Sequence, residues 1–308
     1  MSRPSTREHK IIIASWNSIF GNAFLSVTKI VTGFFFGSMA LVADGVDSAS
    51  DIITSLITLL TARIISKPPD MKYPYGYEKA DTIASKLLAF IIFFAGAQLA
   101  ITTVHRLLEG QTSEMPSLLA VFVIVFSIVG KQFLSFYLNR VGKKTDSEML
   151  RSNAKNMQGD VIISSSVLVG LVFTHIFKMP VLDLITALAV SGWIMFVAIR
   201  IIVQSSRTLM DRIEDPGIYK SITEAVASVP DAHHPHRIRA RKIAHLYVID
   251  LDIEVEGAFS LDKAHQIAHQ VENEIKARIE NVYDVLVHAE PLGDDASHEV
   301  FGVSEKDL

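Results

Sequence analysis

Six apolar stretches, each long enough to cross a lipid bilayer as a helix, occupy the first two thirds of the chain. A transmembrane helix needs about 20 predominantly apolar residues, and an isolated strand cannot satisfy its backbone polar groups in lipid. The fifth stretch reaches this length if its helix begins in the polar segment 153–160. We therefore expect an α-helical membrane protein whose first domain, residues 1–208, has six transmembrane helices, at about 11–36, 39–64, 82–108, 117–138, 161–177 and 181–203.

Lysine and arginine are distributed unequally among the segments that flank these stretches. They are frequent before the first stretch and after the second, fourth and sixth, whereas the alternate connections contain only Lys178. Basic segments stay in the cytoplasm, so both termini of this multi-pass membrane protein are expected there. No cleavage site of small residues follows the first stretch, which argues against a signal peptide.

The rest of the composition excludes several classes of protein. The 308 residues include no cysteine, so a disulfide framework, a thiolate metal site and a cysteine nucleophile are excluded. The net charge of −4 is unlike the basic excess of nucleic-acid-binding proteins. Neither a glycine-rich phosphate loop nor a G-x-S-x-G nucleophile motif occurs. We expect no enzyme activity, no organic cofactor and no nucleic-acid partner, and any metal must be held by His, carboxylate, amide or water ligands.

The last third of the chain is predicted to form a small α+β domain over residues 209–293. Helical spacing at 218–229 is followed by strands at 238–241 and 246–255, where apolar residues alternate from Tyr247 to Val255. A helix at 260–279, with Ser260 as its N-cap, precedes a last strand at 282–288. The order is αββαβ, and the polar tail 294–308 is expected to be flexible.

Three aspartates lie inside the second apolar stretch, where charged groups are costly and therefore point to function. Asp44, Asp47 and Asp51 are spaced i, i+3, i+7, which places them on one helical face. Such charges persist together only if cations, protons or water compensate them. A purely structural alternative pairs one aspartate with Lys29 of the first stretch and leaves its neighbours hydrated.

A second pair of oxygen-bearing side chains opens the fifth stretch. Asn156 and Asp160 are i, i+4 neighbours and face the same way. Two helices that each contribute such a pair can enclose one divalent ion. Alternatively, Asn156 and Gln158 only form hydrogen bonds between helices.

Together these features resemble the cation diffusion facilitator family of six-span divalent metal/proton antiporters, in particular its bacterial ferrous-iron and zinc efflux pumps. The resemblance covers about residues 11–291. It rests on SMALVADGVDSASD at 38–51, KPPDMKYPYGYEKA at 67–80, NMQGD at 156–160, LMDR at 209–212 and VHAEP at the end of the αββαβ module.

The resemblance implies a transport site formed by Asp47, Asp51, Asn156 and Asp160. Asp44 would either contact these ligands without binding the ion itself or carry a proton. Relatives commonly have His or Asp where this chain has Asn156, and an all-oxygen site shifts preference from Zn²⁺ toward Mn²⁺ or Fe²⁺.

Two further family features lie on the cytosolic side of the membrane. A loop metal site of the family corresponds to Asp70, Tyr73 and Tyr77 here; tyrosine is a poor ligand at neutral pH because its pKa is about 10, so we expect this site to be missing. Lys79 and Asp211 match positions that the family pairs, and a salt bridge between the third and sixth helices is expected.

Histidines are concentrated in the C-terminal module, which the family uses for homodimerisation and metal sensing. The resemblance implies a cytosolic metal site, and its ligand positions are occupied here by His236, Asp252, His265, His288 and Glu290. His288 and Glu290 alternate on one strand and so share a face. The alternative is surface histidines without metal, which is our expectation for His233, His234 and His269.

The function that follows is efflux of a divalent transition-metal cation, Mn²⁺, Fe²⁺ or Zn²⁺, by metal/proton antiport with alternating access. The metal would be both substrate and regulator, and the protein a homodimer in the inner membrane of a bacterium. The alternative is a membrane metal sensor or scaffold of the same fold that transports nothing.

Overall fold

A computed structural model describes residues 6–109, 115–145, 147–243, 246–293, 302–304 and 307. The described chain falls into two compact units, Met1–Ile64 with Ile83–Ser205, and Ile65–Thr82 with Ser206–Leu308. In chain order the elements are α1 (Thr6–Phe35), α2 (Met39–Ile65), α3 (Lys79–Leu108), α4 (Leu118–Thr145), α5 (Glu148–Phe177), α6 (Val181–Leu209), α7 (Gly217–Ala227), β1 (His233–Ile243), β2 (Leu246–Val255), α8 (Leu261–Arg278) and β3 (Val282–Pro291).

The predicted fold class is confirmed, since six long helices precede an αββαβ module. Within the described residues, α1, α3, α4, α5 and α6 are long and apolar enough to cross a membrane. Helix α2 has 27 residues, and its three aspartates lie in its N-terminal half. Helix α5 begins at Glu148, where Ser147 is the N-cap and accepts a hydrogen bond from the Leu150 amide. The polar segment 153–160 is therefore helical, as its proposed role in a span requires.

The core of the first unit is formed by small and branched apolar residues from α2 to α6, such as Leu41, Ile92, Ile124, Leu171 and Ile194. The opposite faces of these helices carry exposed Phe, Leu, Ile and Val side chains. In water such surfaces would be unfavourable, but in a bilayer they are the surface that contacts lipid. The distribution of apolar residues is therefore that of a membrane bundle whose polar groups face inward.

The N-terminus of α2 is capped by a side chain of another helix. Asp183 of α6 is fully buried; it accepts hydrogen bonds from the Ser38 hydroxyl at 2.6 Å and from the Met39 and Ala40 amides at 2.7 and 3.4 Å. The first amides of a helix lack partners within it, and their partial positive charge favours a carboxylate. Asp183 thus fixes the start of the helix that carries Asp44, Asp47 and Asp51.

In the second unit, a three-stranded sheet has the order β1-β2-β3, with β2 antiparallel to β1 and parallel to β3. Parallel neighbours need a crossover, and α8 provides it, with Ser260 as N-cap accepting from the Lys263 amide. Helices α7 and α8 cover one face of the sheet around Ile222, Ile249 and Val271. This packing makes β2 the buried centre of the sheet.

Strand β1 starts five residues before the predicted strand and ends two residues after it. It has irregular register between His233 and Arg239, because the pairing with β2 shifts twice there. Ile238 also forms a bridge with Val303, through two hydrogen bonds of 3.0 Å. Val303 belongs to the tail that the sequence suggests is flexible; residues 294–301 of that tail lie outside the described residues.

Candidate metal sites

The three aspartates of α2 have different surroundings. Asp44 is almost fully buried and pairs with Lys29 of α1 at 2.6 Å. The Ser164 hydroxyl of α5 donates to Asp44 at 2.7 Å, and Lys29 also donates to Ser48 and Ser164. Helices α1, α2 and α5 therefore meet at one buried ion pair. The structural alternative includes such a pair with Lys29, and the pair involves Asp44 alone of the three aspartates.

Asp160 of α5 is paired with a lysine that the sequence reasoning overlooked. Lys131 of α4 is 1% exposed, and its Nζ atom donates to Asp160 Oδ2 at 2.9 Å. The same ammonium group lies 3.9 Å from Asp51 Oδ2. A lysine in the middle of the apolar stretch 117–138 is itself a signal of function, and it could have been found from the sequence. The carboxylates of α2 and α5 thus approach one common cation.

Asp51 also lines a cavity of about 80 Å³. Its lining comes from α1, α2 and α5 and is mostly amide, hydroxyl and carboxylate: Ser18, Asn22, Asp51, Thr54, Ser55, Asn153 and Asn156, with Ile19, Ile52 and Met157. In the described part of the chain, Asn22 Oδ1 and Asp51 Oδ2 are buried oxygens that accept no hydrogen bond. Asn22 is a second residue that the sequence reasoning did not single out, although an amide inside an apolar stretch is also a signal.

The structure brings the four predicted transport ligands together only in part. Asp51 and Asn156 line the same cavity, and Asp51 and Asp160 share Lys131. Asp47 is half-buried one turn before Asp51. Asp47, Asp51 and Asp160 do not form a group in which the ligand oxygens all lie within 4.8 Å of one another; among the described residues, one group of His and acidic side chains meets that distance, and it lies in the second unit.

In the loop between α2 and α3, Asp70 is engaged in a turn. Its carboxylate accepts from the Tyr77 hydroxyl at 2.6 Å and from the Lys72 and Tyr73 amides at 2.8 and 2.9 Å. The Tyr77 hydrogen bond, followed by those of the amides, lowers the pKa of Asp70. The same bond raises the pKa of Tyr77 to about 12. Both acceptor oxygens of Asp70 are thus used within the loop, and Tyr77 carries its proton at neutral pH.

The expected partners Lys79 and Asp211 are adjacent. Lys79 Nζ donates to Asp211 Oδ1 at 2.9 Å, and both side chains are more than one third exposed. Such pairs contribute about 0–1 kcal/mol. The pair therefore orients the start of α3 relative to the end of α6 more than it stabilises the chain.

His236, Asp252 and Glu290 come together across the three strands of the sheet. Their ligand atoms lie within 4.8 Å of one another, because His236 is opposite Asp252 in β1 and β2, and Glu290 follows on β3. His236 Nε2 is 3.4 Å from Glu290 Oε2, and Asp252 Oδ2 accepts from Arg237 at 2.6 Å. A group of one imidazole and two carboxylates suits Zn²⁺ or another transition metal.

The remaining histidines are distributed around this group. His288 Nε2 lies 3.3 Å from Glu290 Oε1, so it borders the group through Glu290. His265 is outside the group and packs edge-to-face on His269 of the same helix at 4.4 Å. His234 contacts Glu254 at 3.1 Å, and His269 contacts Glu272 at 3.1 Å.

Two family profiles match the chain in the regions just described. The profile for the cation efflux transmembrane domain matches residues 15–210, and that for the cation efflux protein cytoplasmic domain matches residues 215–292. The chain belongs to the cation efflux, or cation diffusion facilitator, family. The resemblance inferred from the motifs is thereby confirmed, and the protein is a cation efflux transporter of the membrane.

Several relatives in this family are similar over most of their length. The chain is 31% identical to the manganese efflux system protein MneS of Bacillus subtilis over 278 residues, which cover 89% of this chain and 93% of MneS. It is 28% identical to the cation-efflux pump FieF of Pectobacterium carotovorum over 268 residues, 87% and 88% of the two chains. Among solved structures, the metal-bound C-terminal domain of the CzcD transporter from Thermotoga maritima matches 25% of this chain and 90% of that chain, at 36% identity and a TM-score of 0.25.

Proposed function

We propose that this protein exports a divalent transition-metal cation in exchange for protons, with Asp47, Asp51, Asn156 and Asp160 as the ligands of the transported ion. The observation that carries this proposal is the cavity that Asp51 and Asn156 line together, with Asp160 one helical turn beyond Asn156. With both termini in the cytoplasm, the cavity lies on the cytoplasmic side of the carboxylates, because α2 then runs inward and α5 outward. An ion entering there would meet Asp51 and Asn156 first.

Mn²⁺ is the substrate that we favour over Zn²⁺ and Fe²⁺. All four proposed ligands offer oxygen, and Asn22 adds a fifth oxygen at the cavity wall. Oxygen ligands favour harder ions, whereas an imidazole favours zinc. The relative MneS is named for manganese efflux, which agrees with this choice.

Exchange with protons follows from the chemistry of carboxylate ligands. A carboxylate that binds a proton loses the charge that holds a dication, so metal and protons exclude each other at one site. If the helices alternate between inward-facing and outward-facing arrangements, protons from outside release the ion there. Metal binding to the His236, Asp252 and Glu290 group would bias this equilibrium by stabilising one arrangement of a homodimer.

The direct test is uptake by proteoliposomes. Vesicles that contain the purified protein and have an acidic interior should accumulate Mn²⁺. The pH of the interior should rise as protons leave in exchange, and uptake should stop when the pH gradient is collapsed. Asp51→Ala should abolish uptake while the dimer, measured by size-exclusion chromatography with light scattering, persists. Metal binding without uptake or metal-driven proton flux would instead support the alternative, a membrane metal sensor or scaffold of the same fold.

A further inference from the structure

Lys131 is a buried cation in the middle of α4. It is 1% exposed and lies in a helix that is mostly apolar before it. An ammonium group at membrane depth is costly unless paired. Its Nζ atom lies 2.9 Å from Asp160 Oδ2 and 3.9 Å from Asp51 Oδ2. Its position is therefore defined by two carboxylates from different helices.

Lys29, a second buried lysine among the described residues, has different partners. Lys29 lies 2.6 Å from Asp44 and also donates to the hydroxyls of Ser48 and Ser164. Asp44 receives a further hydrogen bond from Ser164, and it does not line the cavity beside Asp51. Lys131, in contrast, has one close and one longer carboxylate contact, and one of these carboxylates faces the cavity. Lys29 is therefore held by one carboxylate and two hydroxyls, whereas Lys131 lies between two carboxylates of different helices.

We propose that Lys131 is a tethered counter-cation that competes with the transported metal ion for Asp51 and Asp160. The inference rests on the proposed function. A dication bound to both carboxylates would need the oxygens that the ammonium group contacts, and two cations cannot share them because they repel strongly at such distances in a medium of low dielectric. Metal binding therefore displaces the ammonium group, and the return of the ammonium group favours metal release.

This competition has a mechanistic consequence. Without a compensating charge, carboxylates that have released their ion would repel one another in the membrane interior. The ammonium group of Lys131 supplies part of that compensation, so the site needs fewer protons to change its orientation after release. The same competition weakens metal binding, which keeps release fast at the exit side.

The sign of the change in metal affinity tests the proposal. Mn²⁺ binding is measured by titration calorimetry on full-length protein in nanodiscs, in a His236→Ala background that weakens the cytosolic group. Lys131→Gln should lower the Mn²⁺ dissociation constant by about tenfold or more, whereas Lys131→Arg, which keeps the charge, should remain close to the parent. If Lys131 only holds the helices in place, Lys131→Gln should weaken Mn²⁺ binding instead.

Lys29→Gln is the matched control, because it removes an equally buried lysine from an aspartate outside the proposed ligand set. It should not tighten Mn²⁺ binding. Lys131→Met, similar in length and uncharged, replaces Lys131→Gln if the latter does not fold. Unchanged or weaker binding in a folded, uncharged variant overturns the proposal.

A measurement on the unmodified protein does not depend on folding of variants. A membrane-permeant amine-reactive reagent should label Lys131 more when Mn²⁺ is present, as read by mass spectrometry, and label Lys29 equally with and without the ion. No increase at Lys131 overturns the proposal. If the unmodified protein neither binds nor transports Mn²⁺, Fe²⁺ or Zn²⁺, the proposed function fails and this inference with it; binding and transport without the Lys131 effect overturn this inference alone.

Discussion

At the scale of single residues, the buried carboxylates of the membrane unit differ in the cation that each one contacts. Asp44 pairs with Lys29 and accepts a hydrogen bond from the Ser164 hydroxyl, and Asp160 pairs with Lys131. Asp51 retains an oxygen that accepts no hydrogen bond and faces a cavity with Asn156. Identical side chains on one helix therefore have different surroundings, because the neighbouring helices present different partners.

Asn156→His should shift the metal preference of the transport site toward Zn²⁺. The exposed position of Asn156 leaves room for an imidazole, which is a better ligand for Zn²⁺ than an amide. We expect the ratio of Zn²⁺ to Mn²⁺ affinity to rise by about tenfold, equivalent to about 1.4 kcal/mol, with little change in thermal stability. Calorimetric titration with both ions measures this, and Gln158→His, on an adjacent exposed position, is the control. An unchanged ratio would argue that Asn156 is not a ligand.

Asp70→Asn should lower the pKa of Tyr77 from about 12 toward its ordinary value of 10.0. The hydrogen bond to the carboxylate stabilises the protonated tyrosine, so removing the negative charge removes the cause. In the unmodified loop, the bond joins a charged carboxylate to a protonated tyrosine above the lowered pKa of Asp70 and below the raised pKa of Tyr77. Difference absorbance at the tyrosinate band, with Tyr77→Phe as the reference, follows the titration. A Tyr77 pKa that stays near 12 in Asp70→Asn would contradict the assignment.

At the scale of elements, α2 is positioned by its neighbours at two places. Asp183 of α6 caps its N-terminus. At Gly45, helix α1 approaches so closely that an added Cβ would lie 2.6 Å from Ile30 Cγ1 and 3.0 Å from the Ile30 amide nitrogen. The helix that carries the aspartates thus has a fixed start and a fixed contact with α1.

Asp183→Ala should lower the thermal stability of the membrane unit. It leaves the Ser38 hydroxyl and the first α2 amides without their acceptor, and each buried unsatisfied group costs about 1–3 kcal/mol. Asp183→Asn, which keeps one oxygen, should be less severe. Thermal unfolding of the detergent-solubilised protein compares the two, with Ile185→Ala, on an exposed face of the same helix, as control. Equal stability of all three variants would contradict the capping role.

Gly45→Ala should disturb the packing of α1 on α2 and reduce transport. The new methyl group meets backbone as well as side chain, so the helices must separate and the Lys29–Asp44 contact must lengthen. Gly192→Ala in α6 is the matched control, because nothing lies within 4 Å of its added Cβ; it should be neutral or stabilise by up to about 1 kcal/mol. Uptake and thermal unfolding of both variants test this, and equal behaviour would show that the close approach is unimportant.

The sequence predicted the helices and strands better than it predicted which side chains contact one another. Hydropathy and periodicity were sufficient for the six helices and the αββαβ order, because burial in lipid or in a sheet imposes a repeating pattern. The extension of α5 to Glu148 was anticipated in part, from the need for a span. Lys131 and Asn22 are single polar residues in apolar stretches and are not part of the acidic spacing that predicts the site. Asp183 has no local pattern either, because it caps a helix that is distant in sequence. The grouping of His236 with Asp252 and Glu290 depends on the register of three strands, which no local pattern fixes; His265 is on helix α8, outside this group.

At the scale of the whole molecule, the two units contain candidate metal sites of different chemistry. The membrane unit offers carboxylate and amide oxygens around its cavity. The second unit adds an imidazole to two carboxylates. Because imidazole ligands favour Zn²⁺, the two sites are expected to differ in which ion they bind first.

Glu290→Ala should remove Zn²⁺ binding from the second unit and leave Mn²⁺ uptake measurable. Glu290 contacts both His236 and His288, so its loss removes the group that joins them. The Zn²⁺ stoichiometry of the full-length protein should fall, while His233→Ala, on an exposed position of β1, leaves it unchanged. Complete loss of Mn²⁺ uptake in Glu290→Ala would mean that the two sites are not separable.

The bridge between Ile238 and Val303 links the far end of the polypeptide to the edge of its sheet. Any fusion or deletion at this terminus acts on hydrogen bonding in β1 as well as on a polar tail. A chain shortened before Val303 would leave the Ile238 amide and carbonyl available to a strand from another molecule. Affinity tags for purification are therefore better attached to the opposite terminus.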